Sequence, residues 1–204
     1  MFNSYKLPLE FDAASLKADL ERVLVSDWVA HFNHGYYQGA WKGLALRSTT
    51  GRANQMYTPP HENVEAVETP VLARCAYFRQ VLATFDCPIH TARLLSLGPG
   101  SKILEHTDDF LGGEYGLLRV HIPITTDSAV EFYVNGQKLE MFEGQAWCIN
   151  FSLPHRITNG SGQDRVHLIV DCRANEWFLE LLPSEIKNET MTAWKDDDRI
   201  RTGI

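Results

Sequence analysis

The chain has 204 residues, 44% of them hydrophobic and 22% charged, with nine prolines and fourteen glycines, which is the make-up of an ordinary folded domain and not of a disordered or collagen-like chain. Its 19 Lys and Arg against 26 Asp and Glu leave a net charge of −7 and no long basic run, so nucleic acid is excluded as an expected partner. No stretch reaches the length of apolar sequence that a bilayer crossing needs, and Met1 to Lys6 lacks the charged start and apolar run of a signal peptide; no membrane contact and a cytoplasmic location are expected.

Taken in chain order, Asp12 precedes Leu16, Leu20, Val23 and Leu24 at the spacing of an amphipathic helix. Trp41 to Arg47 reads as a strand, followed by a polar loop over Ser48 to Pro60. Thr69-Pro70 then reads as an N-cap with proline at the first helical position, and Val71, Cys75, Phe78, Leu82 and Phe85 mark the apolar stripe of a second helix. From His90 the period changes to two, with strands expected at about 91–97, 102–106, 116–124, 130–134, 138–142, 145–151 and 164–172. Asn135-Gly136 is a two-residue hairpin signal, because both residues accept positive φ, and Glu143-Gly144 turns the chain again. A short helix over Asn175 to Leu182 and a charged tail with Asp196-Asp197-Asp198 complete the chain. Cys75, Cys87, Cys148 and Cys172 have no CxxC spacing and are expected as reduced, mostly buried thiols.

So many short strands and frequent turns point to a mainly β sandwich or jelly roll with two or three flanking helices. A single domain over 1–204 is expected, with a helical part at about 10–88, a β core at about 89–173, and a short helix and tail over 174–204.

The residues that point to chemistry are His106 and Asp108, two apart on an extended chain and so on one side of it, and His155 roughly fifty residues on. Two imidazoles and a carboxylate on one face of an octahedral ion form the facial triad of non-haem Fe(II) oxygenases, with positions left open for cosubstrate and O2. Taken alone, HxD is also what a turn after a strand looks like. Arg165 lies ten residues after His155, and alternation puts it with His167 and Ile169 on one face of a strand; Arg119 and His121 share a face of another. A cosubstrate with two carboxylates, such as 2-oxoglutarate, would need a guanidinium to pair its far carboxylate in a poorly hydrated barrel. The competing reading leaves both arginines on a solvated sheet face.

The stretch from Arg93 to Asp171, with His106-Thr107-Asp108, Leu118-Arg119-Val120-His121-Ile122-Pro123, Leu153-Pro154-His155 and Arg165-Val166-His167-Leu168-Ile169-Val170-Asp171, resembles the aspartyl/asparaginyl β-hydroxylase family of Fe(II)/2-oxoglutarate dioxygenases. Within it the likeness is strongest to the bacterial L-proline cis-4-hydroxylase branch, and a weaker match through Trp41, Leu46-Arg47 and Gly51 extends it over most of residues 35 to 172. The resemblance implies a double-stranded β-helix, cupin-like in build, with Fe(II) on His106, Asp108 and His155. It further implies that Arg165 holds the distal carboxylate of 2-oxoglutarate and that Arg119 and His121 line the pocket near its other carboxylate. The animal members lack the acidic ligand and carry a helical-repeat domain; Asp108 here shifts the expectation towards hydroxylation of a small molecule, an amino acid or short peptide. It also argues against halogenation, which needs the carboxylate's position for halide.

Other residues are weaker candidates. Arg47, Arg93 and Arg156 could each meet a substrate carboxylate, but are read first as surface or structural, and Trp41 and Trp147 first as core. His31, His34, His61 and His90 are given no role, and Asp109 is expected to face away from the ligands. The alternatives are an asparaginyl or aspartyl hydroxylase of peptides, which would need an open groove, and a cupin-like metal-binding domain without oxygen chemistry.

Overall fold

The computed structural model describes residues 2–59, 65–109, 111–188 and 190. Strict alternation decides the layers. In Leu117–Thr125, the side chains of Leu118, Val120, Ile122 and Ile124 enter one core, while Arg119 and His121 point to the opposite face. In Arg165–Arg173, Val166, Leu168, Val170 and Cys172 enter that same core, and Arg165, His167, Ile169 and Asp171 take the other side.

The described strands are β1 (Ser4–Glu10), β2 (Val29–Ala30), β3 (Tyr37–Gln38), β4 (Trp41–Ser48), β5 (Val67–Glu68), β6 (Ile89–Leu97), β7 (Lys102–His106), β8 (Leu117–Thr125), β9 (Val130–Val134), β10 (Gln137–Leu139), β11 (Gln145–Ile149), β12 (His155–Asn159) and β13 (Arg165–Arg173). They form two antiparallel sheets, an eight-stranded one in the order β1-β11-β8-β13-β6-β4-β2 with β5 against β4, and a five-stranded one in the order β10-β9-β12-β7-β3. This is the mainly β, double-stranded β-helix arrangement. Helices α1 (Ala13–Leu20), α2 (Ala76–Ala83) and α3 (Glu176–Glu180) cover the outer face of the larger sheet, where Leu16, Phe78 and Phe178 are fully buried. Deleting a ring such as Phe78 from this layer would cost ~3–5 kcal/mol. A second core lies between the sheets and joins Leu95, Leu97 and Ile169 to Ile103, Phe132, Val134 and Ile157.

The Asn135-Gly136 hairpin forms as expected, both residues having positive φ, and Gly144 turns at φ 81, where a Cβ would collide with the Phe11 carbonyl. The four cysteines are free thiols, with Cys87 half-buried. Several expectations need correction. The first helix ends at Leu20, after which 3-10 bonds such as Val23 N–H to Leu20 C=O take over, and Leu24 is left 54% exposed. Thr69 does not cap a helix: its hydroxyl donates to the Ala45 carbonyl, and a 3-10 turn over Leu72–Arg74 precedes α2. The cap of α2 comes from α1, where buried Asp19 accepts from the Phe78 N–H at 2.8 Å. The part expected to be helical, about 10–88, supplies β2, β3 and β5 besides the expected strand β4, and β1 precedes it. Of these, β1 tolerates Pro8 because it is an edge strand. Strand β12 was absent from the expected set, yet lies in the middle of the smaller sheet. His61 and the tail with Asp196-Asp197-Asp198 lie outside the described residues.

Candidate metal centre

Strands β7 and β12 pair antiparallel with His106 directly opposite His155, at the last residue of one and the first of the other. Asp108 follows β7, and its backbone N–H donates to the Phe151 carbonyl at 2.9 Å, which fixes the turn. One ligand atom from each of His106, Asp108 and His155 lies within 4.8 Å of the others. His106 Nε2 is 3.5 Å from Asp108 Oδ1. The Nδ1 atoms of both histidines face a carbonyl two residues earlier, His106 to Leu104 at 2.7 Å and His155 to Leu153 at 3.0 Å. A carbonyl only accepts, so each Nδ1 carries its proton and each Nε2 presents a lone pair, the tautomer a metal takes.

Electrostatics act differently on the two rings. Burial pulls His155 down to about 4, so it is neutral at pH 7. Burial works the same way on His106, but the Asp108 carboxylate and the Leu104 carbonyl outweigh it and hold that imidazole above its usual value. Burial alone would raise Asp108; its contact with His106 and the Arg119 guanidinium hold it well below the usual carboxylate range.

Behind His106, Asp108 and His155 runs a chain of ion pairs. Arg119 donates through Nη1 to Asp108 Oδ2 at 2.6 Å and through Nε to Asp171 Oδ1 at 2.7 Å; Arg93 donates to Asp171 Oδ2 at 2.8 Å. Asp171 is opposed by Thr91 on β6 and Arg119 on β8, so strand register assembles the network. Burial favours the neutral acid, but the two guanidiniums keep Asp171 ionised far below its usual range.

Deeper, Arg165 is 2% exposed and lies 5.4 Å over the Phe132 ring. Burial pulls its guanidinium down to about 9, which still leaves it charged at neutral pH. Its Nη2 donates to His167 Nδ1 at 2.8 Å, whereas its Nε, like His121 Nε2, is buried with no hydrogen-bond partner among the described residues.

All six residues singled out from the sequence (His106, Asp108, Arg119, His121, His155 and Arg165) line one cavity of about 350 Å³. The arginines are therefore not on a solvated face. Arg93 lies in the same wall and is buried, not on the surface; Arg47 instead binds the Ala66 carbonyl, and exposed Arg156 pairs with Glu105. As expected, Trp41 belongs to the inter-sheet core and Trp147 packs against it; Trp41 also lines the cavity. Asp109 is exposed, as expected, yet it also borders the cavity. The sequence reading missed His31 and His90, which are buried cavity-lining groups, and gave Asp171 no part. His31 stacks on Trp41 at 3.5 Å, and Tyr36 lies 4.4 Å from His106. The alternation that exposed Arg165 and His167 also placed Asp171 on their face, a signal that was available.

Comparison with known proteins agrees with this geometry. The chain is 26% identical over 188 residues to L-proline cis-4-hydroxylase of Rhizobium meliloti (strain 1021), covering 90% of this chain and 66% of that protein. This chain thus spans just under two thirds of that relative's length. In fold it is similar to an oxidoreductase of the 2OG-Fe(II) oxygenase family from Burkholderia pseudomallei, with a TM-score of 0.54 at 17% identity, covering 85% of this chain and 86% of the other. The sequence profile described as Aspartyl/Asparaginyl beta-hydroxylase matches residues 10–175, a span that contains His106, Asp108, His155 and every arginine named above. With that match over most of its length, the chain belongs to the aspartyl/asparaginyl β-hydroxylase family.

Proposed function

We propose that this protein is an Fe(II)/2-oxoglutarate-dependent hydroxylase of a small molecule, a free amino acid or a close derivative. The observation that carries this reading is the convergence of His106, Asp108 and His155, with both imidazole tautomers set by backbone carbonyls. Two nitrogens and one carboxylate suit Fe(II), which when bound supplies O2 activation coupled to decarboxylation of 2-oxoglutarate to succinate. His106 and His155 present Nε2, Asp108 presents a carboxylate that Arg119 orients, and Ile169, Leu117 and Ile103 keep water from the reacting centre. Arg165, with an unpartnered Nε at full burial, fits a carboxylate of the cosubstrate; Arg119 and His121 would border its other end.

The charges lining the cavity are Arg93, Arg119 and Arg165 against Asp108, Asp109 and Asp171, three of each sign, but buried Arg165 has no carboxylate partner among the described residues, which favours an anionic occupant beside it. A volume of about 350 Å³ suits small molecules. The relative's action on L-proline supports an amino-acid substrate. The test is succinate formation from 2-oxoglutarate with Fe(II) and air, against a panel of free amino acids and short Asp- and Asn-containing peptides. Stimulation by a free amino acid, lost in His155→Ala, is expected; stimulation by peptides alone would transfer the substrate to that class, and no stimulation by any compound would contradict the reading.

A further inference from the structure

The buried pair formed by His121, which lines the cavity, and His167 behind it has a hydrogen-bonding problem that the proposed chemistry does not resolve. The two rings face each other Nδ1 to Nδ1 at 3.2 Å, on adjacent strands β8 and β13. Only one proton fits between two such atoms in a neutral pair. Arg165 decides who holds it. A guanidinium only donates, so at 2.8 Å from Arg165 Nη2 the His167 Nδ1 must be a lone pair. His121 Nδ1 therefore carries the proton, and a neutral His121 presents a bare lone pair at Nε2. That atom is buried, lacks a partner among the described residues, and belongs to the cavity wall.

A carboxylate brought against this lone pair would be repelled. His121 has no neutral way out, because moving its proton to Nε2 would set two lone pairs face to face against His167. Resting on the reading of Arg165 and His121 as cosubstrate contacts, we propose that binding of 2-oxoglutarate takes up one proton from solvent onto the His121–His167 pair, and that His167 is the positioning residue that imposes this. In the bound state His121 donates from Nδ1 to His167 and from Nε2 to the carboxylate, and the pair gains one positive charge as the dianion enters.

The surroundings agree with a pair that is neutral until an anion arrives. Burial holds His121 well below its usual value, and Arg165, Arg119 and Arg93 around it act the same way against Asp171. Burial, then Arg165 and His121, do the same to His167. The remaining ring neighbours of His121, Phe132 and Phe151, carry no charge. His167 also borders a second cavity, of about 660 Å³, which it shares with Arg165, Asp127, Lys138, Glu140 and Glu143 and which offers the proton a route that does not pass the metal ligands.

The test is calorimetric titration of 2-oxoglutarate into the full chain preloaded with Mn(II), near neutral pH, in buffers of different ionisation enthalpy. The slope of observed heat against that enthalpy is expected to give an uptake of ~1 proton per 2-oxoglutarate. In His167→Leu, His121 is free to carry its proton on Nε2, so binding persists while uptake falls towards zero. His167→Gln, whose amide oxygen accepts from both Arg165 and His121, keeps the uptake. Should His167→Leu not fold, His121→Asn serves: uptake must vanish there, with weaker binding. Binding without uptake in the parent protein, or uptake that survives His121→Asn, overturns the inference and leaves the hydroxylase reading standing. No binding of 2-oxoglutarate in any buffer overturns both.

Discussion

At one end of the inner cavity Asp108, Arg119, Asp171 and Arg93 form an unbroken run of ion pairs, each charge answered by a neighbour at 2.6 to 2.8 Å. At the other, six residues back along β13, Arg165 is buried but touches only neutral rings and leaves a donor unpartnered. The first end is organised without a ligand, and its internal balance holds a carboxylate and two imidazoles ready for a cation. The second carries the full cost of a buried charge in the free protein, which an anion bound there would offset. One end is therefore built for stability and the other at the expense of it.

The comparison can be broken most severely at the first end. Asp171→Asn leaves Arg93 and Arg119 buried beside each other without their shared counter-charge, and should cost ~3–5 kcal/mol in chemical denaturation at pH 7. Because the folded-state pKa of Asp171 is depressed, its contribution is present above the unfolded carboxylate range, near ~3.9, and is lost as pH falls below it; the variant should show a shallower acid limb. At the second end Arg165→Met should do the opposite. Removing an unpaired buried charge should leave the free protein as stable or more stable by ~1–4 kcal/mol. The same change should weaken 2-oxoglutarate binding by ~30-fold or more, corresponding to ~2 kcal/mol or above for a lost buried charge pair, with metal affinity unchanged. A loss of stability in Arg165→Met would contradict the contrast. The smallest effect belongs to neither end: Asp19→Ala removes the cap of α2 and should cost ~1 kcal/mol in thermal melts without altering affinity for metal or 2-oxoglutarate.

What the sequence disclosed was whatever local period or spacing controls. Alternation on β8 and β13 was enough to send Arg119, His121 and Arg165 to one face, and Asn135-Gly136 was enough to close a hairpin. His106 and Asp108 were readable as a pair because two residues of extended chain share a side. The failures were non-local. Asp19 caps a helix that starts more than fifty residues away, so α2 looked as if it should start at Thr69-Pro70. Strand β12 has one aliphatic side chain, Ile157, and gains its place from pairing with β7 and β9 on both sides. Asp171 ends an apolar run and shows nothing of its two arginines until β6 and β8 are laid beside it. His31 and His90 reach the cavity from an irregular segment and from a β6 end near a bulge, where period carries no information.

The most direct test of the central claim is anaerobic addition of 2-oxoglutarate to the Fe(II)-loaded protein, followed by visible absorbance, in the parent chain, His155→Ala and Arg165→Met. The account predicts a saturable new charge-transfer band in the parent, none in His155→Ala because the metal is lost, and in Arg165→Met a band that saturates only at much higher 2-oxoglutarate. Fe(II) binding with no response to 2-oxoglutarate in the parent, or a parent-like titration in Arg165→Met, would contradict it.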